Sequence, residues 1–177
     1  MFLLEPATAD HLHQLADMIN QAYRGEGGWT SEAGLVTGLR TTAAKLEGEM
    51  ASGEYRYFVC YADDTLVGCC NLQLQPTVVE IGGFTIIPAW QGKGVGSQML
   101  AQAEILAARL RPGLPTAVRV LTPREDLIAY FVRRGYQKTG RVDPYPVGQG
   151  VGEPLVEQLT LVQLQKTVAT VATGAAS

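Results

Sequence analysis

The sequence predicts an α/β domain of the α+β kind, with a mixed, mostly antiparallel central sheet of about six to seven strands and helices on both faces. Two observations carry this. Strand-like and helix-period segments follow one another as β, α, α, then three strands, then α, β, α, β, β. The three middle strands, residues 55–61, 65–75 and 78–87, are separated only by Asp63-Asp64 and Pro76-Thr77, turns too short for anything but antiparallel neighbours. The 177 residues, 46% hydrophobic and 18% charged, are enough for one domain with its own core. We expect that domain over residues 1–166 and a low-complexity, disordered tail over 167–177.

The elements follow from local chemistry. Residues 2–5 read as a short strand stopped at Pro6. Thr8 is placed to cap a helix on which Leu12, Leu15, Ile19 and Tyr23 recur at helical spacing. The glycine-rich stretch 24–38 reads as a loop with room for one helical turn. A second helix is expected over 42–51, ending near Gly53. The three middle strands are rich in β-branched and aromatic residues. On 97–110, Met99, Ala103, Leu106 and Leu110 mark one helix face. After a strand at 117–121, "TPRE" reads as a capping box in which Thr122 caps and Glu125 reaches back. That helix runs to Arg134 and stops at Gly135. Strands over 136–140 and 156–166, joined by a Pro/Gly-rich loop, complete the order.

Bulk chemistry excludes several function classes. A net charge of −3 is the wrong sign for a nucleic-acid footprint. No apolar run reaches the roughly 20 residues of a membrane span, and the start has no basic, apolar leader. Cys60, Cys69 and Cys70 have no framework spacing and fit a reducing cytoplasm as buried strand thiols. His11 and His13 fall on the polar part of the first helix, two residues apart and so on different faces; both are expected to be solvated, and no metal site is expected.

The informative stretch is "IGGFTIIPAWQGKGVGSQML", residues 81–100. A Walker loop needs a glycine five residues before Gly92 and a Ser or Thr after Lys93; neither is present. A dinucleotide fingerprint needs G-x-G-x-x-G, whereas the glycines fall at 92, 94 and 96. What remains is Q-x-x-G-x-G, Gln91, Gly94 and Gly96, between a strand end and a helix start. Glycines let the backbone approach closely, and the first N–H groups of a helix face an anion. Lys93 adds charge at the mouth, and a pyrophosphate is the natural guest.

This segment resembles the cofactor motif of the GNAT superfamily of N-acetyltransferases, and the element order resembles the GNAT order over residues 2–166. The resemblance implies acetyl-coenzyme A as co-substrate, no metal, and a pyrophosphate cradle at Gln91, Gly92, Lys93, Gly94, Val95, Gly96 and Ser97. It implies that backbone groups of Phe84, Thr85 and Ile86 hold the pantetheine arm and acetyl carbonyl. It also implies that the fourth predicted strand, 78–87, is bulged and splayed from the fifth, which gives Gly82-Gly83 a purpose. The activity it implies is direct transfer of the acetyl group, in a ternary complex, to a primary amine of a small molecule, amino acid or peptide. A non-catalytic acyl-coenzyme A-binding regulatory module is the alternative, and a longer acyl group or an oxygen nucleophile a third reading. The resemblance allows a homodimer.

Proton transfer rests on two positions. Glu80, a carboxylate inside an apolar strand, matches by its offset the general base of histone-acetylating members; otherwise it faces solvent on a half-exposed sheet. The family's acid is a tyrosine four residues before a glycine, and here that residue is Phe131. Tyr130 stands one step earlier, about 100° round the helix, and with Tyr136 or a water is the candidate substitute. Arg124 stands near the family's usual asparagine and is a candidate for a coenzyme phosphate. On the acceptor side, "GWTSEAGLVTGLR" (28–40), "RRGY" with "TG" (133–140) and "PYP" (144–146) resemble a bacterial GNAT subgroup. They nominate Trp29, Glu32, Arg40 and Tyr145.

Overall fold

The structure, a computed structural model, describes residues 2–25 and 30–167. The tail expected over 167–177 lies outside the described residues apart from Thr167. The elements are β1 (Leu3–Pro6), α1 (Leu12–Arg24), β2 (Val36–Thr37), α2 (Ala43–Ser52), β3 (Tyr55–Ala62), β4 (Thr65–Leu74), β5 (Val79–Ile86), α3 (Val95–Leu110), β6 (Thr116–Leu121), α4 (Glu125–Arg133), β7 (Gln137–Pro144), β8 (Glu153–Pro154) and β9 (Thr160–Lys166). Seven strands form one sheet in the order β1-β3-β4-β5-β6-β9-β7. Every neighbouring pair is antiparallel except β5 and β6.

The alternation along β3 sorts the two faces. Phe58 and Cys60 join a core with Met99, Ala103 and Ala107 of α3 and with Ile128 and Phe131 of α4. Tyr57 and Val59 join a second core with Leu15, Ile19 and Tyr23 of α1 and Leu46 of α2. The helical spacing read from Leu15, Ile19 and Tyr23 is thus the face α1 buries.

Two irregularities open the middle of the sheet. Between Cys69↔Thr85 and Asn71↔Gly82, β4 advances two residues while β5 advances three. The extra residue is a bulge at Gly-Gly-Phe, where Gly83 sits at φ +56°, a conformation glycine adopts without strain. Before it, β5 and β6 pair at Val79↔Thr116 and Glu80↔Ala117, and past it they do not pair. The sheet splays there, as expected for strands four and five of the predicted set.

Stretch 24–38 is a loop with one turn of helical type, in which the Leu35 and Val36 N–H groups bond the Glu32 carbonyl at 2.9 and 3.1 Å; Val36–Thr37 then pairs with Glu153–Pro154, and this small sheet lies apart from the main one. Three local expectations are corrected. The last strand begins at Thr160, not Val156, because the glycine-rich loop before it belongs to that second pairing. "TPRE" is not a capping box: α4 starts at Glu125, and the Thr122 hydroxyl reaches across to Thr160 at 2.7 Å. His11 is half-buried rather than fully solvated. Its Nδ1 accepts from the Thr8 N–H at 2.9 Å, and its Nε2 is 3.0 Å from the Tyr61 hydroxyl, tying the α1 entry to β3. At the other end of α4 the stop is as read: the Tyr136 N–H bonds the Phe131 carbonyl and the Gly135 N–H that of Val132, a Schellman closure. Among the described residues no helix is long and apolar enough to cross a membrane.

Candidate active site

Two cavities, each of about 430 Å³, open on the splay and share Phe84 and Thr30. The first is framed by the glycine turn. Gly92 and Gly94 have φ of +74° and +81°, and a Cβ on either would meet only open space. The Gln98 N–H makes the first intrahelical bond of α3, to the Gly94 carbonyl. The N–H groups of Val95, Gly96 and Ser97 therefore have no helical acceptor. Gly96 is closely packed: a Cβ there would lie 3.1 Å from Ile86 Cδ1 and 3.4 Å from the Tyr130 hydroxyl. A turn of this shape fits a diphosphate held by backbone donors and the helix dipole.

Of the residues expected to hold the coenzyme, Phe84, Ile86, Gln91, Gly92, Gly94, Gly96 and Ser97 line this cavity. Val95 buries its side chain in the core, so only its backbone faces the turn. Thr85 is buried on the α1 face, its hydroxyl 3.1 Å from the Gly83 carbonyl. Lys93 lies over the Trp90 ring at 4.9 Å, and the Gln91 amide donates to the Ile86 carbonyl at 3.0 Å, closing the end of β5. Sequence reasoning missed Trp90 and Arg134. The Arg134 guanidinium stacks on the Tyr130 ring at 3.4 Å and donates to the Ser97 hydroxyl at 3.0 Å, placing a cation on the wall beside the turn.

The aromatic pair of α4 divides between the cavities. Tyr130 lines the cavity of the glycine turn. Phe131 is buried edge-on between Tyr130 and Tyr136, where it lines the second cavity. Tyr136 lines neither cavity. Its hydroxyl is held by Thr116 and Glu104, each at 3.2 Å, at the far end of β6, which removes it as a proton donor.

The second cavity lies between the sheet and α1 and α2. Val79 and Ile81 point into the α3 core, so Glu80 points the other way, buried and not solvated. Its Oε1 is 2.8 Å from Arg119 Nε, and Oε2 has no hydrogen-bond partner among the described residues. Beside it on the same face stand Gln73 and Tyr55, in register across β4 and β3. Near the bulge the Tyr23 hydroxyl donates to the Phe84 carbonyl at 3.2 Å. Burial raises the Tyr23 pKa to about 12, against the opposing pull of Arg40, whose guanidinium covers the ring at 3.9 Å.

The acceptor-side candidates converge on a residue the sequence did not single out. Arg24, at the end of α1, pairs with Glu32 and donates to the Tyr145 hydroxyl at 3.1 Å, to the Val151 carbonyl and to the Gly38 carbonyl. Arg40 stands 3.7 Å from the other oxygen of Glu32. Glu32, Arg40 and Tyr145 thus form one wall. Trp29 lies outside the described residues. Arg124 lies on the second cavity, hydrogen-bonded to the Ser31 carbonyl and to Asp126. Arg119 carried the signal that flagged Glu80, a charge inside an apolar strand, and could have been found by it. Among the described residues no group of His, Cys, Asp and Glu could hold a metal ion.

Residues 14–136 match the model of the acetyltransferase (GNAT) family. The chain belongs to that family. By fold it is similar to the ribosomal-protein-S18-alanine N-acetyltransferase of Escherichia coli, at TM-score 0.69 and 11% identity, covering 98% of each chain. It is similar to a ribosomal-protein-alanine N-acetyltransferase from Brucella melitensis, at TM-score 0.67 and 19% identity over 94% of this chain and 99% of that one. Mutant forms of the spermidine/spermine N-acetyltransferase of Vibrio cholerae give TM-score 0.65 and 15% identity over 94% and 95%. A search of curated protein sequences gives no match. The family's activity makes the protein an acyltransferase that uses acetyl-coenzyme A.

Proposed function

We propose that the protein transfers the acetyl group of acetyl-coenzyme A directly to a primary amine bound in the second cavity, the amine belonging to a small molecule, an amino acid or a peptide. The observation that carries this is the meeting of the two cavities at Phe84, beside the bulge where β5 leaves β6. Acetyl-coenzyme A supplies an activated thioester; the chain's residues do the rest.

The orphan N–H groups of Val95, Gly96 and Ser97 bind the diphosphate, with Lys93 and Arg134 adding charge at the rim. The edge of β5 past the bulge has no strand partner on its β6 side, so its backbone donors are available to a thioester carbonyl and to the oxyanion that develops on it. Glu80 takes the amine's proton at Oε2, directly or through a water, while Arg119 fixes Oε1. Tyr130, whose hydroxyl reaches the coenzyme cavity, is the donor to the leaving sulfur. A thiol with a reference pKa of about 8.5 is a tolerable leaving group, so that step contributes less than the base. The buried, free thiols Cys60, Cys69 and Cys70 suit a reducing compartment, and we assign the protein to the cytoplasm.

The test is release of coenzyme A thiol from acetyl-coenzyme A with a broad amine panel, in the native protein and in Glu80→Gln. We expect amine-dependent release that falls roughly 10²- to 10⁴-fold in the variant. Coenzyme binding with no release for any amine would return the non-catalytic reading, and an unchanged rate in Glu80→Gln would remove Glu80 as base.

A further inference from the structure

The acceptor cavity is lined by several charged side chains, and their pairing is unequal. Glu80 is taken by Arg119, Glu32 by Arg24, and Glu49 by the Tyr57 hydroxyl. Three of the cations are likewise engaged. Arg119 holds Glu80, Arg124 holds Ser31 and Asp126, and Lys45 donates to the Gln149 carbonyl at 3.3 Å.

Arg40 is the exception. Its contact with Glu32, at 3.7 Å, is too long for a hydrogen bond. Its other partner is the face of Tyr23, which uses the π surface of the guanidinium and none of its N–H groups. Among the described residues the guanidinium donates no hydrogen bond, although it lines the cavity with its side chain 29% exposed. Its backbone is fixed independently: the Asn20 side-chain oxygen accepts from the Arg40 and Thr41 N–H groups at 2.8 and 3.1 Å, and its amide donates to the Thr41 carbonyl at 3.0 Å. An arginine held by its backbone and stacked on a ring, with its donors unused, is prepared for a planar anion.

We propose that the acceptor carries a carboxylate close to its amine, as an amino acid does, and that Arg40 receives that carboxylate. This rests on the reading of the protein as an amine acetyltransferase. The spacing supports a short molecule. Arg40 covers the Tyr23 ring, and the Tyr23 hydroxyl touches the Phe84 carbonyl at the bulge, so the anion site is one aromatic ring from the place where the amine meets the thioester. Tyr145, Gln149 and Val151 line the same cavity.

The test is calorimetric titration of the full-length protein, saturated with coenzyme A, with the protein amino acids, with the amines left when their carboxyl groups are removed, and with spermidine. At least one amino acid should bind about 10- to 100-fold tighter than its matched amine. Arg40→Gln should abolish that difference and Arg40→Lys restore part of it, with coenzyme A affinity in both variants reporting that they fold. A matched amine or spermidine binding as tightly as every amino acid, no amino acid binding at all, or a difference that survives Arg40→Gln overturns the proposal. Thiol release from acetyl-coenzyme A in parallel samples separates the two readings. Amino acids that bind without release count against acetyl transfer alone, and release with spermidine only counts against the carboxylate alone.

Discussion

Gly94→Ala offers a test in which the cost to the fold can be separated from the cost to binding. Gly94 sits at φ +81°, and a Cβ built on it meets nothing within 4 Å. The fold therefore loses only the price of a left-handed alanine, roughly 1–2 kcal/mol. For a chain of this size that lowers Tm by roughly 2–8 °C. Gly113, in the turn between α3 and β6, is a matched control: φ is +84° and its Cβ would also meet nothing, but it lines neither cavity. Gly113→Ala should cost about the same stability. Only the Gly94 variant puts a methyl group where the backbone must approach a diphosphate. Losing one or more charge-assisted N–H contacts there should weaken acetyl-coenzyme A binding by about 10- to 100-fold. Calorimetric titration and thermal unfolding of both variants supply the four numbers needed. Equal Tm losses with affinity lost only at Gly94 is the expected result. If the Gly94 variant binds as well as the Gly113 variant, the diphosphate does not sit on this turn.

Tyr130→Phe should lower kcat by up to roughly 10²-fold; an unchanged rate would assign the leaving-group proton to water. Phe131→Tyr should leave the rate within about twofold of native, because a side chain in the core contact between Tyr130 and Tyr136 does not reach the coenzyme cavity, and a gain of about tenfold or more would refute that. Stability should fall as pH rises from about 10 toward about 12. Burial holds Tyr23 near 12 against an ordinary value of 10.0 and raises Tyr57 and Tyr136 as well. Above pH 10 the unfolded chain has released protons that the folded chain keeps, so each further unit costs up to about 1.4 kcal/mol per such tyrosine. Urea unfolding at pH 9, 10 and 11 checks the sign, and constant stability across that range would show that these hydroxyls ionise freely in the fold.

The parts of the molecule legible in the sequence are those set by residues near each other in the chain. The glycine turn, the Gly-Gly bulge and the apolar face of α1 depend on dihedral freedom and short periodicities, and all stand where those rules put them. The acceptor wall does not work that way. Arg24 contacts Glu32, Gly38, Tyr145 and Val151, which are brought together by the folding back of the 145–152 loop and by the β2–β8 pairing. No spacing rule reaches across more than a hundred residues, so Glu32, Arg40 and Tyr145 could be nominated while the arginine that joins them could not. The "TPRE" box failed for a related reason. Its local rule was sound, but the Thr122 hydroxyl met a better partner in Thr160 across the sheet edge, and tertiary contact overrode the cap.

The bulge does more than splay the strands. Side chains alternate along a strand, so one extra residue exchanges the faces of everything that follows it. Before the bulge the odd positions, Val79 and Ile81, pack toward α3 and leave Glu80 facing α1 and α2. After it the even positions, Phe84 and Ile86, pack toward α3, and Thr85 faces α1. In an unbroken strand Glu80, Phe84 and Ile86 would share one face, and the carboxylate would stand in line with the coenzyme wall. With the extra residue, the first half of β5 serves the acceptor cavity and the second half the coenzyme cavity, with Phe84 lining both. In the proposed reaction, the two substrates that meet at one carbonyl therefore approach from opposite sides of a single strand. The residue that permits this is Gly83: at φ +56° its backbone adopts a conformation that other side chains take only with strain.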